Sequence, residues 1–258
     1  MHYSHILITR PYAEAMELAA LLAPFRVEVI ILPAFEFAAR ALPPEQVRQL
    51  QQSVIAPQPP LLVFTSPRAV DFGLGQVPPG VLKNSRIAAV GASTAEVLLQ
   101  SGISDVLSPR HGYSSEDLLE TIRAEKQLHA PIAAGEAGQA FIFAAPGGRD
   151  ALREGLEELG FLAQMLLVYE RIPASLEPTA IAAIEQAESL LAVWTSANSM
   201  NALHQRLPAG CWASLRQAEW LVISDRLMGL AQSFKPAKLH LALGPANADI
   251  LGAIQALA

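Results

Sequence analysis

A single cysteine in 258 residues, Cys211, has no partner for an internal disulfide and suits a reducing compartment. Charge is scarce and its balance is acidic, with 18 Lys and Arg against 24 Asp and Glu. The basic residues are scattered singly, so the basic face that a nucleic-acid binder needs is missing and no nucleic-acid partner is expected. No apolar stretch approaches about 18 unbroken residues, so no membrane span is expected. The first residues also lack a basic segment followed by a long apolar one, and the reading is a soluble, cytoplasmic protein. The six histidines (His2, His5, His111, His129, His204, His240) show no ligand spacing and one cysteine makes no zinc site, so no metal is expected. Both G-x-G-x-x-G and G-x-x-x-x-G-K-[ST] are missing, which argues against a nucleotide.

What the chain does have is apolar content, 52% against 16% charged, enough to bury the core of one large or two ordinary α/β domains. One stretch occurs twice: Leu62-Val63-Phe64-Thr65-Ser66-Pro67, and again Ala192-Val193-Trp194-Thr195-Ser196-Ala197. Each reads as a buried strand running through Thr-Ser into a helix, because serine is a favoured N-cap and Pro67 suits the first helical position. Hydroxyls and free backbone N–H groups then gather at a strand's carboxyl end. Open α/β sheets place ligands there, and a helix N-terminus favours anions. Helix capping alone accounts for the same residues, and at this point both readings stand.

In chain order, Ile6 to Pro11 reads as a strand meeting a turn, followed by a helix from Ala13 to Ala23. Arg10 falls at that strand's end, either as a solvated surface residue or as a carboxylate clamp. A second strand spans Val27 to Pro33 and a helix Leu42 to Gln52. Gly73 to Gly75 and Pro78 to Gly80 read as loop. The strand Arg86 to Gly91 opens a helix through Ser93, which Ser101-Gly102 stops. After a strand at Val106-Leu107, Ser114 and Asp117 have capping-box spacing. His129 to Gln139 reads as loop, Phe141 to Pro146 as a strand, and Gly147-Gly148-Arg149-Asp150 as the start of a helix. Met165 to Arg171 reads as one strand. The second Thr-Ser copy, a strand Trp220 to Ser224, a strand Leu239 to Leu243 and a terminal helix after Asn247 complete the chain. Equivalent positions (Pro11 and Pro146, Thr65 and Thr195, Gly91 and Ser224, Asp117 and Asp249) lie 130 to 135 residues apart. The chain is therefore about two copies of one strand-helix unit. If the strand ends of the two domains face each other, all these turns line a cleft.

The ordered set Ile-Thr-Arg-Pro, Phe-Thr-Ser-Pro, Ala-Val-Gly-Ala-Ser-Thr-Ala, Ser-Ser-Glu-Asp-Leu-Leu, Pro-Gly-Gly-Arg-Asp, Val-Tyr-Glu-Arg and Trp-Thr-Ser resembles the uroporphyrinogen-III synthase family across nearly the whole chain. The resemblance implies two similar α/β domains, each a parallel sheet flanked by helices, joined by a two-stranded linker with a cleft between. Residues 1–34 with 174–258 would form one domain, 39–167 the other, and 35–38 with 168–173 the hinge. It implies a cofactor-free enzyme of porphyrin biosynthesis, a lyase that cyclises hydroxymethylbilane with loss of water and inversion of ring D. It also implies a monomer, with at most transient contact with the preceding pathway enzyme. Tyr169 resembles the family's cleft-facing tyrosine and becomes the catalytic candidate, although a strand tyrosine also serves simply as packing. The carboxylates of the substrate would meet Arg10, Thr65, Ser66, Gly91, Ser93, Ser114, Gly148, Arg149, Thr195, Ser196 and Asn247. In the second half Ser224-Asp225-Arg226 departs from the family's Gly and Thr, so no threonine role carries over there. A non-catalytic two-lobed anion-binding protein remains the alternative.

Overall fold

The computed structural model describes residues 2–109, 112, 114–128, 137–147 and 150–257. The chain begins with β1 (His5–Ile8), α1 (Tyr12–Leu22), β2 (Glu28–Ile31), β3 (Phe35–Ala39), α2 (Pro44–Ser53) and β4 (Leu61–Phe64). It continues with α3 (Pro67–Gly73), α4 (Pro79–Lys83), β5 (Arg86–Ala89), α5 (Ala92–Gln100), α6 (Ser115–Leu128) and β6 (Gly138–Ala144). Then come α7 (Ala151–Glu158), β7 (Phe161–Leu167), β8 (Tyr169–Pro173), α8 (Pro178–Gln186), β9 (Leu190–Trp194) and α9 (Ala197–Arg206). The chain closes with α10 (Ala209–Gln217), β10 (Glu219–Val222), α11 (Asp225–Phe234), β11 (Lys238–Leu241) and α12 (Asn247–Ala256).

Two compact units divide the chain: Met1–Phe37 with Ile172–Ala258, and Ala38–Arg171. The first holds a parallel sheet in the order β11-β10-β9-β1-β2, the second one in the order β5-β4-β6-β7. Leu107 extends the second sheet beyond β5 through a single parallel bridge to Ala88. The two orders are then the same, with β4 equivalent to β9, β5 to β10, Leu107 to β11, β6 to β1 and β7 to β2. β3 and β8 form a separate two-stranded sheet. Its ends are closed by Ala174 N–H donating to Ala34 O and Arg40 N–H to Val168 O, at 3.1 and 2.9 Å.

Burial explains the unbroken apolar strands. β4 (LLVF) and β9 (LLAVW) are buried at every position, as central strands of a sheet covered on both faces must be. In the first unit Leu7, Ala192, Trp194 and Trp220 enter one core while Ile6, Ile8, Leu191 and Val193 enter a second. That alternation, residue by residue, is the period of two expected of a strand with helices on either side. The second unit repeats it, with Leu61, Val63, Ala140 and Ile142 in one cluster. The intervening Leu62, Phe64, Phe141 and Phe143 are equally buried, and the Phe64 and Phe143 rings stack at 4.5 Å.

Several expectations need correction. Gly73-Leu74-Gly75 and Pro79-Gly80 are not loop, although Pro78 is: α3 runs to Gly73, a 3-10 turn covers Leu74–Gln76, and Pro79 opens α4, since proline at a first helical position starts a helix as readily as it breaks one. The strand expected at Val106-Leu107 is one bridge. Met165 to Arg171 is two strands, because Val168 changes partner: its N–H donates to Ala144 O of β6 and its C=O accepts from Arg40. Gly138 and Gln139, read as loop, begin β6, while most of the preceding stretch from His129 lies outside the described residues.

Candidate active site

Strand order locates the crevice in each unit. In the second unit the chain leaves β4 toward β5 and later leaves β6 toward β7 on the other side, so β4 and β6 flank the switch point where open α/β sheets bind ligands. A cavity of about 530 Å³ lies there, lined by Thr65, Ser66, Ser114, Gly147, Leu152 and Tyr169 among others. Gly147 is the turn out of β6, and its φ of +79° is one that a residue with a side chain rarely adopts.

The two residues of Thr65-Ser66 do different work. Thr65 Oγ1 donates to Phe143 O at 2.9 Å and ties β4 to β6 across the switch point. Ser66 Oγ caps α3 by accepting the Ala69 N–H at 3.1 Å and also lies 3.1 Å from the Tyr169 hydroxyl. Tyr169 opens β8, is only 9% exposed and stacks on Phe72. Arg68, half-buried, acts electrostatically on it. Desolvation holds the Arg68 guanidinium below its ordinary value, Tyr169 and Asp71 oppose that shift, and Arg171 reinforces it. Sequence reasoning passed over Arg68. The available signal was a cation in the first turn of a helix, where the macrodipole disfavours it.

Ser114 and Asp117 form the capping box their spacing implies. Ser114 N–H and Oγ both donate to Asp117 Oδ2, at 3.0 and 2.7 Å, and Ser114 Oγ accepts the Asp117 N–H at 3.1 Å. Its hydroxyl is thus used locally, and the neighbouring cavity wall carries Glu116, which repels anions. Gly91 is the N-cap of α5 and Ser93 is exposed on its first turn, but the cavity lining stops at Val90. Gly148 and Arg149 lie outside the described residues.

In the first unit the switch point falls between β1 and β9. Here Thr9 Oγ1 donates to Val193 O at 2.9 Å. The threonine tie has changed strands between the two copies: it follows β4 in one and β1, the equivalent of β6, in the other. Thr195, relieved of that duty, has a hydroxyl with no hydrogen bond among the described residues. Ser196 caps α9 through the Ser199 N–H at 3.3 Å. Arg10 and Asn247 are brought together, with Arg10 donating to Asn247 Oδ1 at 2.7 Å and to the Pro245 carbonyl. Desolvation holds Arg10 below its ordinary value, and Glu17 partly offsets it. Arg226 is exposed on α11, which Ser224 caps. Among the described residues no group of His, Cys, Asp and Glu could hold a metal ion, and no helix is long and apolar enough to cross a membrane.

A family model described as uroporphyrinogen-III synthase HemD matches residues 16–242. Among solved structures, uroporphyrinogen-III synthetase from Helicobacter pylori is similar with a TM-score of 0.57 and 17% identity, over 98% of this chain and 99% of that one. A mutant uroporphyrinogen III synthase from the extremely thermophilic bacterium Thermus thermophilus is similar with a TM-score of 0.50 and 18% identity, over 98% of each chain. No curated protein matches significantly. The structural likenesses establish the fold, and the family model spans most of the sequence: this chain belongs to the uroporphyrinogen-III synthase family.

Proposed function

We propose that this protein is a cyclising hydro-lyase of the cytoplasm that converts hydroxymethylbilane into uroporphyrinogen III. The observation that carries this reading is the family-model match over residues 16–242. The cavity at the β4/β6 switch point supports it, because it presents the Tyr169 hydroxyl together with Ser66.

The reaction is a redox-neutral dehydration. A proton passes from the Tyr169 hydroxyl to the departing hydroxyl on ring A, the C–O bond breaks with its electrons on oxygen, and water leaves. The resulting cation closes on the substituted position of ring D, a spiro intermediate rearranges, and the proton finally lost from ring D restores the phenol. A positioned general acid contributes about 10²–10⁴-fold to such a step. The cation has two positions of ring D to choose between, so holding one conformer matters at least as much, and orientation contributes up to about 7–11 kcal/mol. The eight substrate carboxylates need hydrogen-bond donors. In the first unit, Thr195 and the Arg10 N–H groups that have no partner among the described residues are donors of the kind carboxylates need, without a basic surface.

The test is incubation of the purified protein with hydroxymethylbilane, followed by oxidation and separation of the isomers. Mainly type III is expected. Type I alone, the product of unassisted closure, overturns the reading, and binding without turnover supports the anion-binding alternative.

A further inference from the structure

Among the described residues, Glu116 is the one charged side chain on the wall of the cavity at the β4/β6 switch point. Much of the remaining wall is apolar, with Val90, Ile142, Ala144, Leu152 and Met165. No cation stands among the described lining residues to receive a substrate carboxylate. Two of the polar neighbours are spent locally, Thr65 Oγ1 on Phe143 O and Ser114 Oγ on Asp117 Oδ2. Glu116 is exposed in the first turn of α6, and its carboxylate has no hydrogen bond or ion pair among the described residues. The helix dipole favours an acid in that turn, but Asp117 already supplies one. An ionised carboxylate only accepts, so the group it can hold in the cavity is an N–H or a cation. A pyrrole offers both in turn. Its N–H is neutral in the substrate and becomes a charged donor once the hydroxyl has left ring A, because the positive charge is shared with that nitrogen.

We propose that Glu116 is a catalytic residue that accepts the ring-A pyrrole N–H and stabilises the cation formed as water leaves. This rests on the hydroxymethylbilane reading, and it does not depend on which group protonates the departing hydroxyl. The step balances. The C–O bond breaks with its electrons on the leaving water, and the ring-A nitrogen shares its lone pair with the electron-poor methylene carbon. An electron pair from ring D then forms the new C–C bond and returns that nitrogen to neutrality. Glu116 stays ionised throughout and takes up no proton. A charge-assisted hydrogen bond is roughly twice as strong as a neutral one, so this contact strengthens on the way to the cation, which is the kind of binding that raises kcat. The same negative charge repels the carboxylate arms of the substrate and keeps them off this wall.

The experiment measures kcat and KM with hydroxymethylbilane for the full-length wild type, Glu116→Gln and Glu116→Lys, well below the melting temperature of each. Glu116→Gln keeps the shape of the side chain and one acceptor oxygen and removes only the charge. It should lower kcat by about 5–10-fold, with KM unchanged or lower because the repulsion of substrate carboxylates is relieved. Glu116→Lys reverses the charge and should lower kcat further while lowering KM. Exposure of the side chain lets both variants fold, and a merely structural acid in α6 gives no reason for KM to fall as kcat falls. An unchanged kcat in Glu116→Gln overturns the inference. So does a raised KM at constant kcat, which would make Glu116 an ordinary binding contact. Absence of type III product from the wild type is a separate failure, that of the hydroxymethylbilane reading itself, and it shows before any variant is compared.

Discussion

Among the described residues Arg10 hydrogen-bonds only to neutral oxygens, the Asn247 side-chain carbonyl and the Pro245 backbone carbonyl, and burial costs its charge solvation that those contacts only partly return. A planar fork with unused N–H groups fits a carboxylate in a way that a lysine does not. Arg10→Lys should therefore raise KM for hydroxymethylbilane by about 3–10-fold at nearly constant kcat, and an unchanged KM would return Arg10 to a structural role. A second residue-scale prediction lies at the amino ends of β10 and β11. Glu219 accepts from Tyr3 Oη at 2.7 Å, pairs with His240 Nε2 at 2.5 Å and lies 3.9 Å from Lys238 Nζ. Burial raises its carboxyl, but the hydrogen bonds from His240 and Tyr3 and the Lys238 charge outweigh that and hold it below its ordinary value of 4.5. Its contribution to stability is then complete above 4.5 and disappears as pH falls through the lower folded-state value. Glu219→Gln should lower the melting temperature at neutral pH by a few degrees and flatten its fall between about pH 5 and pH 3. Parallel melting curves across that range would contradict it.

At the scale of elements, close approach sets the limits. A Cβ on Gly73, at the end of α3, would stand 2.8 Å from Phe143 Cδ1 and 3.2 Å from Val168 Cγ2. The Phe143 ring is stacked on Phe64 and would have to disturb that contact to turn aside. Gly73→Ala should thus destabilise by about 1–2 kcal/mol despite alanine's better helix propensity, as measured by urea unfolding, and a gain in stability would show that α3 can shift. The same elements show what a sequence can and cannot reveal. The two Thr-Ser ends, the Ser114–Asp117 box and the stop at Gly102 (φ +89°) were legible because a cap or a left-handed turn needs a particular residue type at a particular place. The break at Val168 was not, since an apolar run with no glycine or proline reads as one strand and only the partners on either side divide it. Pro79 read as a breaker because its helix has only five residues and too little periodicity to register. The same Thr-Ser signature also hid a difference in duty. It marked Thr65, which is a tie between strands, and Thr195, which has no such bond, while the matching tie in the first unit is Thr9.

For the whole molecule, the repeat seen in the sequence is a repeat of strand order, and each unit carries its own switch point with its own donors. The two points are not equivalent. The one in Ala38–Arg171 holds Tyr169, Ser66 and Arg68, groups able to move and stabilise a proton. The one in the other unit holds Arg10, Asn247 and Thr195, groups able to hold carboxylates but not to supply an acid. On the proposed reading the chemistry belongs to the switch point of Ala38–Arg171, and the product isomer is decided by how the chain of pyrroles is held. The most direct measurement is the type III fraction formed from a fixed amount of hydroxymethylbilane as the protein concentration is raised. Catalysed closure competes with spontaneous closure to type I. The type III fraction should therefore climb toward completeness, at protein concentrations far below that of the substrate. A type III fraction that stays at the background level at every protein concentration would contradict the account.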